Sequence, residues 1–152
     1  MAEKLEFLSA VLLVSRDASR LAHFYQDVLG VPLEEELHEG AEPHWGCQLG
    51  DLHFAIHPVE DFEDDTSYAV GAVKLAFTVF DLESYVAMLR EKFVQLVYPT
   101  RDHGWCKMTA LRDPDGNYVE LTQLADEWYE HLGERKARGI DVVEKWRHLR
   151  RR

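Results

Sequence analysis

The sequence predicts an α+β fold built from two copies of one unit, each running strand, helix, strand, strand, strand. The chain divides near residues 66–71 into halves that show the same order of patterns. In each half an alternating apolar strand is followed by an aspartate that can cap a helix. A chain of 152 residues forms one domain and can bury roughly 70% of its unfolded surface.

The first unit is predicted over about residues 5–65. Phe7 to Val14 alternates as a strand, Asp17 can cap a helix from Ala18 to Leu29, and Gly30 follows as a stop signal. Three short strands complete the unit, at Pro32 to Leu37, His44 to Leu49 and Leu52 to His57.

The second unit is predicted over residues 70–124 and repeats this order. Val73 to Val79 is its first strand, and Asp81 can cap a helix from Leu82 to Phe93. Its remaining strands are predicted at Val94 to Tyr98, Trp105 to Leu111 and Asn117 to Thr122.

A tight turn before the last strand is the clearest local signal in the chain. Pro114 presets φ, Asp115 can cap locally, and Gly116 accepts a positive φ. Because strand side chains alternate with a period of two, Tyr118 and Glu120 then share one face. The sequence therefore predicts Glu120 as a carboxylate that is either displayed or buried on that face.

Two motifs resemble those of the vicinal oxygen chelate superfamily, over residues 7–124. Asp113 to Leu121 is similar to the family's D-P-D-G-x-x-x-E-L pattern, and Ala22 to Gly30 is similar to its F-Y-x-x-x-L-G helix ending. The family includes glyoxalase I, extradiol dioxygenases, fosfomycin resistance proteins and bleomycin-binding proteins. The resemblance implies two βαβββ modules that form a cupped mixed sheet. It places the ligand in a cup between modules paired within one chain or across a dimer.

The resemblance also implies four metal-ligand positions, one on the first and one on the last strand of each half. In this sequence they are Ser9 or Ala10, Ala55, Lys74 and Glu120. A lysine ammonium has donors only and repels a cation, and one carboxylate cannot hold a divalent transition ion. We therefore predict no metal cofactor. A divalent metal ion held by a shifted set, His53 with Glu120, is the alternative.

Lys74 and Glu120 are the candidate catalytic residues, because an ion pair between them can occupy the vacated metal position. Such a pair can act as acid and base, or it can be a structural salt bridge. Serine–histidine–aspartate spacing, a reactive cysteine context and a phosphate-binding glycine loop are not found in the sequence. The predicted ligand-binding residues are His53, His57, Lys74, Trp105, Tyr118 and Glu120.

Composition narrows the possible partners. The net charge is −11, and the acidic excess lies in residues 1–124, so neither nucleic acid nor a membrane is expected as a partner. The N-terminus lacks the basic start and apolar run of a secretory signal. Cys47 and Cys106 are expected to be reduced thiols, which agrees with a cytoplasmic protein.

These observations predict a homodimeric, metal-free protein that binds a small molecule, of the resistance or sequestration type. An acidic body and an aromatic cup favour a cationic planar ligand. The alternative is a lyase, isomerase or dioxygenase that uses a divalent ion through a shifted ligand set.

Residues 125–152 lie outside the repeat and are predicted to form a helical extension. Helical spacing is found at Ala125 to Leu132 and at Ile140 to Leu149, with Trp128 and Trp146 in the apolar stripes. Because large apolar surfaces seldom stay exposed, the extension is expected to dock onto the body or onto a partner subunit.

Overall fold

The computed structural model describes residues 8–40, 42–61, 70–130 and 151. Within these residues the chain forms two modules of the predicted type, which we call module 1 (residues 8–61) and module 2 (residues 70–124). No helix among them is long and apolar enough to cross a membrane.

Module 1 begins with strand β1 (Ala10–Ser15) and helix α1 (Ala18–His23), which continues as a wider π-helical turn over Phe24–Val28. Its other strands are β2 (Glu34–Glu36), β3 (His44–Leu49) and β4 (Leu52–Pro58), and a 3-10 turn over Val59–Asp61 ends the module.

Module 2 repeats the order with strand β5 (Lys74–Thr78) and helix α2 (Leu82–Glu91). Strands β6 (Leu96–Asp102), β7 (Cys106–Arg112) and β8 (Tyr118–Leu124) follow. In both modules the first strand pairs in parallel with the last, and the other pairs are antiparallel. The sheet orders are β1-β4-β3-β2 and β5-β8-β7-β6, so the α+β prediction of two βαβββ modules with mixed pairing is confirmed. The eight strands form two separate sheets.

Both helices start at the predicted caps. Oδ1 of Asp17 accepts a hydrogen bond from the Arg20 amide at 3.0 Å, and Oδ1 of Asp81 accepts one from the Ser84 amide at 3.0 Å. The hydrogen bonds that Ser84 donates favour the charged carboxylate, so they lower the pKa of Asp81. Side-chain acceptors satisfy amides that have no partner inside the helix, which explains why the helices begin at these residues.

The predicted helix from Ala18 to Leu29 was wrong beyond His23, where the backbone widens. The Leu29 amide donates to the Phe24 carbonyl at 3.2 Å, five residues back, instead of four. Tyr25 lies in this widened turn and is fully buried, and its ring packs against module 2. A helical pattern in the sequence does not indicate such a turn, which accompanies the contact of Tyr25 with Phe77.

Strand β2 is much shorter than the predicted Pro32 to Leu37. Proline has no amide to donate, and the Leu33 amide bonds to the Val31 carbonyl at 2.8 Å instead of to a strand. Only three residues therefore pair with β3.

In module 2, helix α2 ends at Glu91, before the predicted Phe93. Phe93 instead adopts φ 59, outside the helical range. Strand β6 starts two residues later than predicted and runs on to Asp102.

One apolar core spans both modules and holds them together. The rings of Tyr25 and Phe54 in module 1 lie 6.3 and 6.1 Å from Phe77 in module 2. The Lys92 ammonium of module 2 donates to the Asp27 carbonyl of module 1 at 2.6 Å. Both residues lie near the end of the helical segment of their module. The modules thus dock through the faces of their sheets that carry the helices.

Asp113 closes the contact between the modules. Its Oδ2 accepts hydrogen bonds from the Tyr25 hydroxyl at 2.8 Å and the Asn117 side-chain amide at 2.7 Å. Its Oδ1 accepts from the backbone amides of Asp115 and Asn117, both at 2.9 Å. The turn is therefore organised by Asp113, and the prediction that Asp115 caps it was wrong. Burial and the Asp113 carboxylate raise the pKa of Tyr25 far above its ordinary value.

The start of the C-terminal extension packs on module 2. Residues 126–130 are helical. Trp128 contacts Trp105 edge to face, with ring centroids 5.9 Å apart, and Tyr129 lies 5.7 Å from Phe80. This part of the predicted helix from Ala125 to Leu132 thus docks within the chain. The helix predicted at Ile140 to Leu149 lies outside the described residues, and the boundary at residue 125 stays a prediction.

Candidate functional site

Each sheet has one face that packs on its helix and a second face, which we call the open face. On β4, Phe54 and Ile56 enter the core, so His53 and His57 lie on the open face of module 1. On β8, Val119 and Leu121 enter the core, and Tyr118 and Glu120 lie on the open face of module 2. The alternation predicted for Tyr118 and Glu120 is confirmed.

Lys74 and Glu120 form an ion pair on the open face of module 2. The Lys74 Nζ lies 3.0 Å from Glu120 Oε2, and the side chains are 63% and 17% exposed. The two residues stand on neighbouring parallel strands, where Lys74 is paired with Tyr118 and Ala76 with Glu120. Because the lysine is largely in solvent, the pair adds little to stability and leaves an ammonium available to a ligand.

Two tyrosines and two arginines surround this pair. The Tyr118 ring has the Lys74 Nζ and the Arg112 guanidinium each 5.3 Å from its centroid, and the Arg101 guanidinium lies 4.4 Å from the Tyr98 ring. We call this set the tyrosine–cation cluster. Its members are Lys74, Tyr98, Arg101, Arg112, Tyr118 and Glu120.

The phenol of Tyr98 stays protonated over a wide pH range. Burial raises its pKa to about 12, assisted by a hydrogen bond with the Tyr118 side chain and by the negative charge of Glu120, while Arg101 acts in the opposite direction. A neutral hydroxyl can donate a hydrogen bond to an oxygen of a ligand. The cluster therefore combines positive charge, aromatic rings and hydroxyl donors on one exposed surface.

The open face of module 1 has a different composition. His44 is largely buried, and its Nε2 lies 3.2 Å from Glu36 Oε2. Its ring stacks on His57 with centroids 4.3 Å apart and an interplanar angle of 16°. His57 Nδ1 in turn lies 3.0 Å from Asp61 Oδ2.

His53 joins this group through a close approach at Gly46. A Cβ atom at Gly46 would lie 2.9 Å from His53 Cε1 and 3.2 Å from Glu36 Oε1. Because position 46 is glycine, the His53 imidazole and the Glu36 carboxylate can both pack against the backbone of β3 there. We call the whole set the imidazole cluster; its members are Glu36, His38, His44, His53, His57 and Asp61.

The predicted site residues are divided between the two open faces. Lys74, Tyr118 and Glu120 come together in module 2, whereas His53 and His57 lie in module 1. Trp105 is half-exposed beside Trp128, where the extension begins.

The residues at the family's metal positions do not fit an ion. The carboxylate of Glu120 is held by the Lys74 ammonium, and Ala55 has no donor atom. In the described ranges, the groups whose donor atoms lie within metal-binding distance of one another are Glu36, His38 and His44, and His44, His57 and Asp61. The alternative pair of His53 and Glu120 belongs to neither group.

The predicted site residues leave out several members of both clusters, namely Glu36, His38, His44, Asp61, Tyr98, Arg101 and Arg112. The signal that could have found Glu36 is strand register, since it stands opposite His44 in the β2–β3 pairing. The arginines gave no signal, because their relation to the tyrosines depends on cross-strand neighbours.

The sequence over both modules matches a known family. The family model for the Glyoxalase/Bleomycin resistance protein/Dioxygenase superfamily matches residues 8–121, and the chain belongs to this superfamily. A search of curated proteins found no match.

Solved structures share the fold at low sequence identity. TnmS3, an antibiotic binding protein from a Streptomyces species, is 17% identical with a TM-score of 0.66, over 82% of this chain and 100% of that one. An integron cassette protein from the mobile metagenome of V. cholerae is 21% identical with a TM-score of 0.64, over 82% and 100%. Lactoylglutathione lyase from Agrobacterium tumefaciens is 19% identical with a TM-score of 0.60, over 79% and 95%. At these identities the likeness concerns the fold alone.

Proposed function

We propose that this protein is a homodimer that binds and sequesters a small aromatic molecule on the tyrosine–cation cluster. The observation that carries the proposal is the Lys74–Glu120 ion pair at 3.0 Å, which stands where metal-dependent members of the family keep ligands. The pair lies beside two tyrosines and is exposed to solvent on the lysine side. We infer binding rather than metal-assisted chemistry here, because the Lys74 ammonium has donors only and repels a cation.

The arrangement of the modules supports a dimeric site. The modules dock through their helix-bearing faces, so neither open face covers the other within the chain. Leu12 on β1 is an apolar residue on the open face of module 1, and it is 41% exposed. Binding of a second copy would place one open face against another and enclose a ligand between them.

The charge of module 2 selects the class of ligand. Three cations surround the tyrosine rings, and they already occupy the positions that a cationic guest would take. The geometry therefore favours an anionic planar ligand over the cationic one expected from composition. We propose a fused aromatic ring system that carries an ionised oxygen, such as a phenolate, carboxylate or sulfonate. Arginine pairs with such oxygens in bidentate geometry.

A series of three ligands with one ring system tests the proposal. Anthraquinone-2-sulfonate, 2-(hydroxymethyl)anthraquinone and 2-(aminomethyl)anthraquinone differ in charge at one position. At a concentration of 100 times its dissociation constant, a ligand adds about 2.7 kcal/mol to the free energy of unfolding. For a chain of this size that raises the melting temperature by roughly 5–10 °C. We expect the largest rise for the sulfonate. The proposal fails if the amine binds best or if none of the three raises the melting temperature.

Two matched arginine variants locate the ligand. Arg112→Gln should reduce the affinity for the sulfonate about tenfold, because it removes a charge-assisted contact. Arg16→Gln removes the same charge from an exposed position in module 1 and should leave the affinity unchanged. Equal losses in both variants would indicate a net-charge effect and remove the cluster from the site.

The dimer is tested by size measurement in solution. Light scattering coupled to gel filtration should give twice the mass of the 17.7 kDa chain. Leu12→Glu places a charge on the open face and should yield a monomer that no longer binds the sulfonate. A monomeric wild-type protein that still binds the sulfonate would contradict the shared site.

We also propose a cytoplasmic location. The observation that supports it is that Cys47 and Cys106 are both free thiols, one in each module. Burial raises the pKa of both thiols, so they are poor nucleophiles. Neither cysteine therefore enters the proposed site as a reactive group.

A further inference from the structure

The imidazole cluster of module 1 lies outside the tyrosine–cation cluster proposed to bind the ligand, and its donors lie at the spacing of metal ligands. We propose that Glu36, His38 and His44 bind a borderline divalent transition ion such as Zn²⁺ at the edge formed by β2 and β3. This position differs from the four positions that the family resemblance implies. The inference does not depend on the identity of the small-molecule ligand.

The distances around Glu36 carry the proposal. Glu36 Oε2 lies 3.2 Å from His44 Nε2 and 3.8 Å from His38 Nε2. Two ligand atoms that are each about 2.0–2.1 Å from a tetrahedral Zn²⁺ are separated by roughly 3.3 Å. The three donor atoms lie within 4.8 Å of one another, so a small rotation of His38 closes the set around one ion.

The exposure of the three residues gives the ion a route in and an open coordination position. The His38 and Glu36 side chains are 69% and 39% exposed, whereas the His44 side chain is only 8% exposed. The buried imidazole fixes the site, and the exposed one can reorient as the ion arrives. The fourth position of a tetrahedron then faces solvent, where it can hold water or an oxygen of another molecule.

The second group of close donors, His44, His57 and Asp61, is a poorer ligand set. The lone pairs of imidazole nitrogens lie in the ring plane, and the His44 and His57 rings are stacked at 16°. The two planes that contain these lone pairs are therefore nearly parallel and separated, so the lone pairs do not converge on one ion. His57 Nδ1 is also held by Asp61 at 3.0 Å. The stack with His57 instead restricts the orientation of the His44 ring.

The packing around Glu36 supports the same assignment. Gly46 leaves space for Glu36 Oε1 and the His53 ring, since a Cβ there would lie 3.2 and 2.9 Å from them. This contact holds one carboxylate oxygen toward β3 and leaves Oε2 directed to His38 and His44. Imidazole and carboxylate donors together suit zinc and its neighbours better than magnesium or calcium, which prefer oxygen alone.

The test is a titration of the untagged protein with Co²⁺, followed by competition with Zn²⁺. Tetrahedral Co²⁺ absorbs visible light strongly, so the spectrum reports both binding and geometry. We expect one Co²⁺ per chain, displaced by Zn²⁺. His38→Gln should weaken binding at least about tenfold, because it removes a ligand from an exposed position without disturbing the core. His103→Gln, an exposed histidine of module 2, is the matched control and should bind as the wild type does.

Two further variants separate this site from its rivals. Asp61→Asn should leave the Co²⁺ affinity within about threefold, since the hydrogen-bond partner of Asp61 is His57, which is not a proposed ligand. Loss of binding in this variant, with His38→Gln unaffected, would assign the ion to the second group. Glu120→Ala should retain the ion, and loss there would place it at the family's position. Absence of a Co²⁺ spectrum in the wild type, or equal spectra in wild type and His38→Gln, would overturn the proposal. Sulfonate binding is measured separately, so failure of either site leaves the other result standing.

Discussion

Module 1 and module 2 have the same strand order and the same helix position, but their open faces carry opposite chemistry. Module 1 presents four imidazoles and two carboxylates, whereas module 2 presents three cations, two tyrosines and one carboxylate. The shared features arise from the core, the helix caps and the strand alternation. The open faces take no part in those interactions, which explains how two copies of one unit acquired different surfaces.

The turns before the last strand of each module also differ. In module 1, β3 and β4 are joined by Gly50 and Asp51 alone, whereas residues 113–117 join β7 and β8. The longer connection lets Asp113 accept four hydrogen bonds and reach Tyr25 in the other module. The longer turn of module 2 thus supplies the acceptor for a buried hydrogen bond between the modules.

The largest expected effect follows from this difference between the turns. Asp113→Ala removes the acceptor of four buried or partly buried donors and should lower the free energy of unfolding by about 3 kcal/mol or more. Asp51→Ala, in the exposed turn of module 1, should change it by less than about 0.5 kcal/mol. Urea denaturation measures both. Similar small losses would show that the turns are equivalent.

Tyr25→Phe isolates the part of the Asp113 turn that reaches the other module, because it removes only the hydrogen bond from the Tyr25 hydroxyl to Asp113. The ring stays in the core, and Asp113 keeps its other three donors, so we expect a loss of about 1–2 kcal/mol in urea denaturation. The double variant Tyr25→Phe with Asp113→Ala should lose less than the sum of the single losses, since both remove one interaction. Simple additivity would argue against a direct contact in solution.

The two helix ends provide the third comparison. Gly30 follows the helix of module 1 with φ 77, and Phe93 follows that of module 2 with φ 59. Left-handed backbone favours glycine, and Phe93 is 95% exposed, so little packing is lost on replacing it. Phe93→Gly should therefore stabilise the protein by about 0.5–1 kcal/mol, while Gly30→Ala should destabilise it by about 1 kcal/mol. Thermal unfolding measures both variants, and a shift of both melting temperatures in the same direction would contradict the prediction.

The smallest effect on stability is expected on the open face of module 2. Glu120→Gln should change the free energy of unfolding by less than about 1 kcal/mol at neutral pH, because Lys74 is mostly exposed. It should lower the pKa of Tyr98 from about 12, since the Glu120 charge contributes to that raised value. Arg101→Gln should raise this pKa further. Titration of tyrosinate absorbance, with Tyr98→Phe as the reference, measures both shifts.

The stability of the fold should depend on pH through Tyr98, whose pKa is raised. A phenol whose pKa is raised on folding binds its proton more tightly in the folded state. Its contribution to stability is therefore fully present below the unfolded value near 10 and is lost as the pH rises toward about 12. Tyr98→Phe should flatten the stability curve in that interval, and an unchanged curve would contradict the assignment.

Much of the fold was predictable because its determinants are local. Asp17 and Asp81 cap helices through amides three residues ahead, and apolar alternation indicated the first strand of each module. The π-helical turn at Phe24–Val28 was not predictable, since it accompanies a contact between Tyr25 and the other module. Strand β2 was overestimated, because its apolar ends do not pair.

The candidate site was predictable only where it follows strand periodicity. Tyr118 and Glu120 were placed on one face, whereas contact between Lys74 and Glu120 was only one possibility; the structure has them 3.0 Å apart. Their arginine neighbours and the Glu36–His44 contact required the cross-strand register, which a single sequence does not provide. The absence of a metal from the family's position remains a prediction for elemental analysis.

Because the two modules are joined on their helical sides, the solvent-facing sides of both sheets are released from holding the chain together. Substitutions there can alter what the molecule recognises at little cost in folding free energy. A polypeptide organised in this way can acquire new specificities on either half independently, without first evolving a more stable interior.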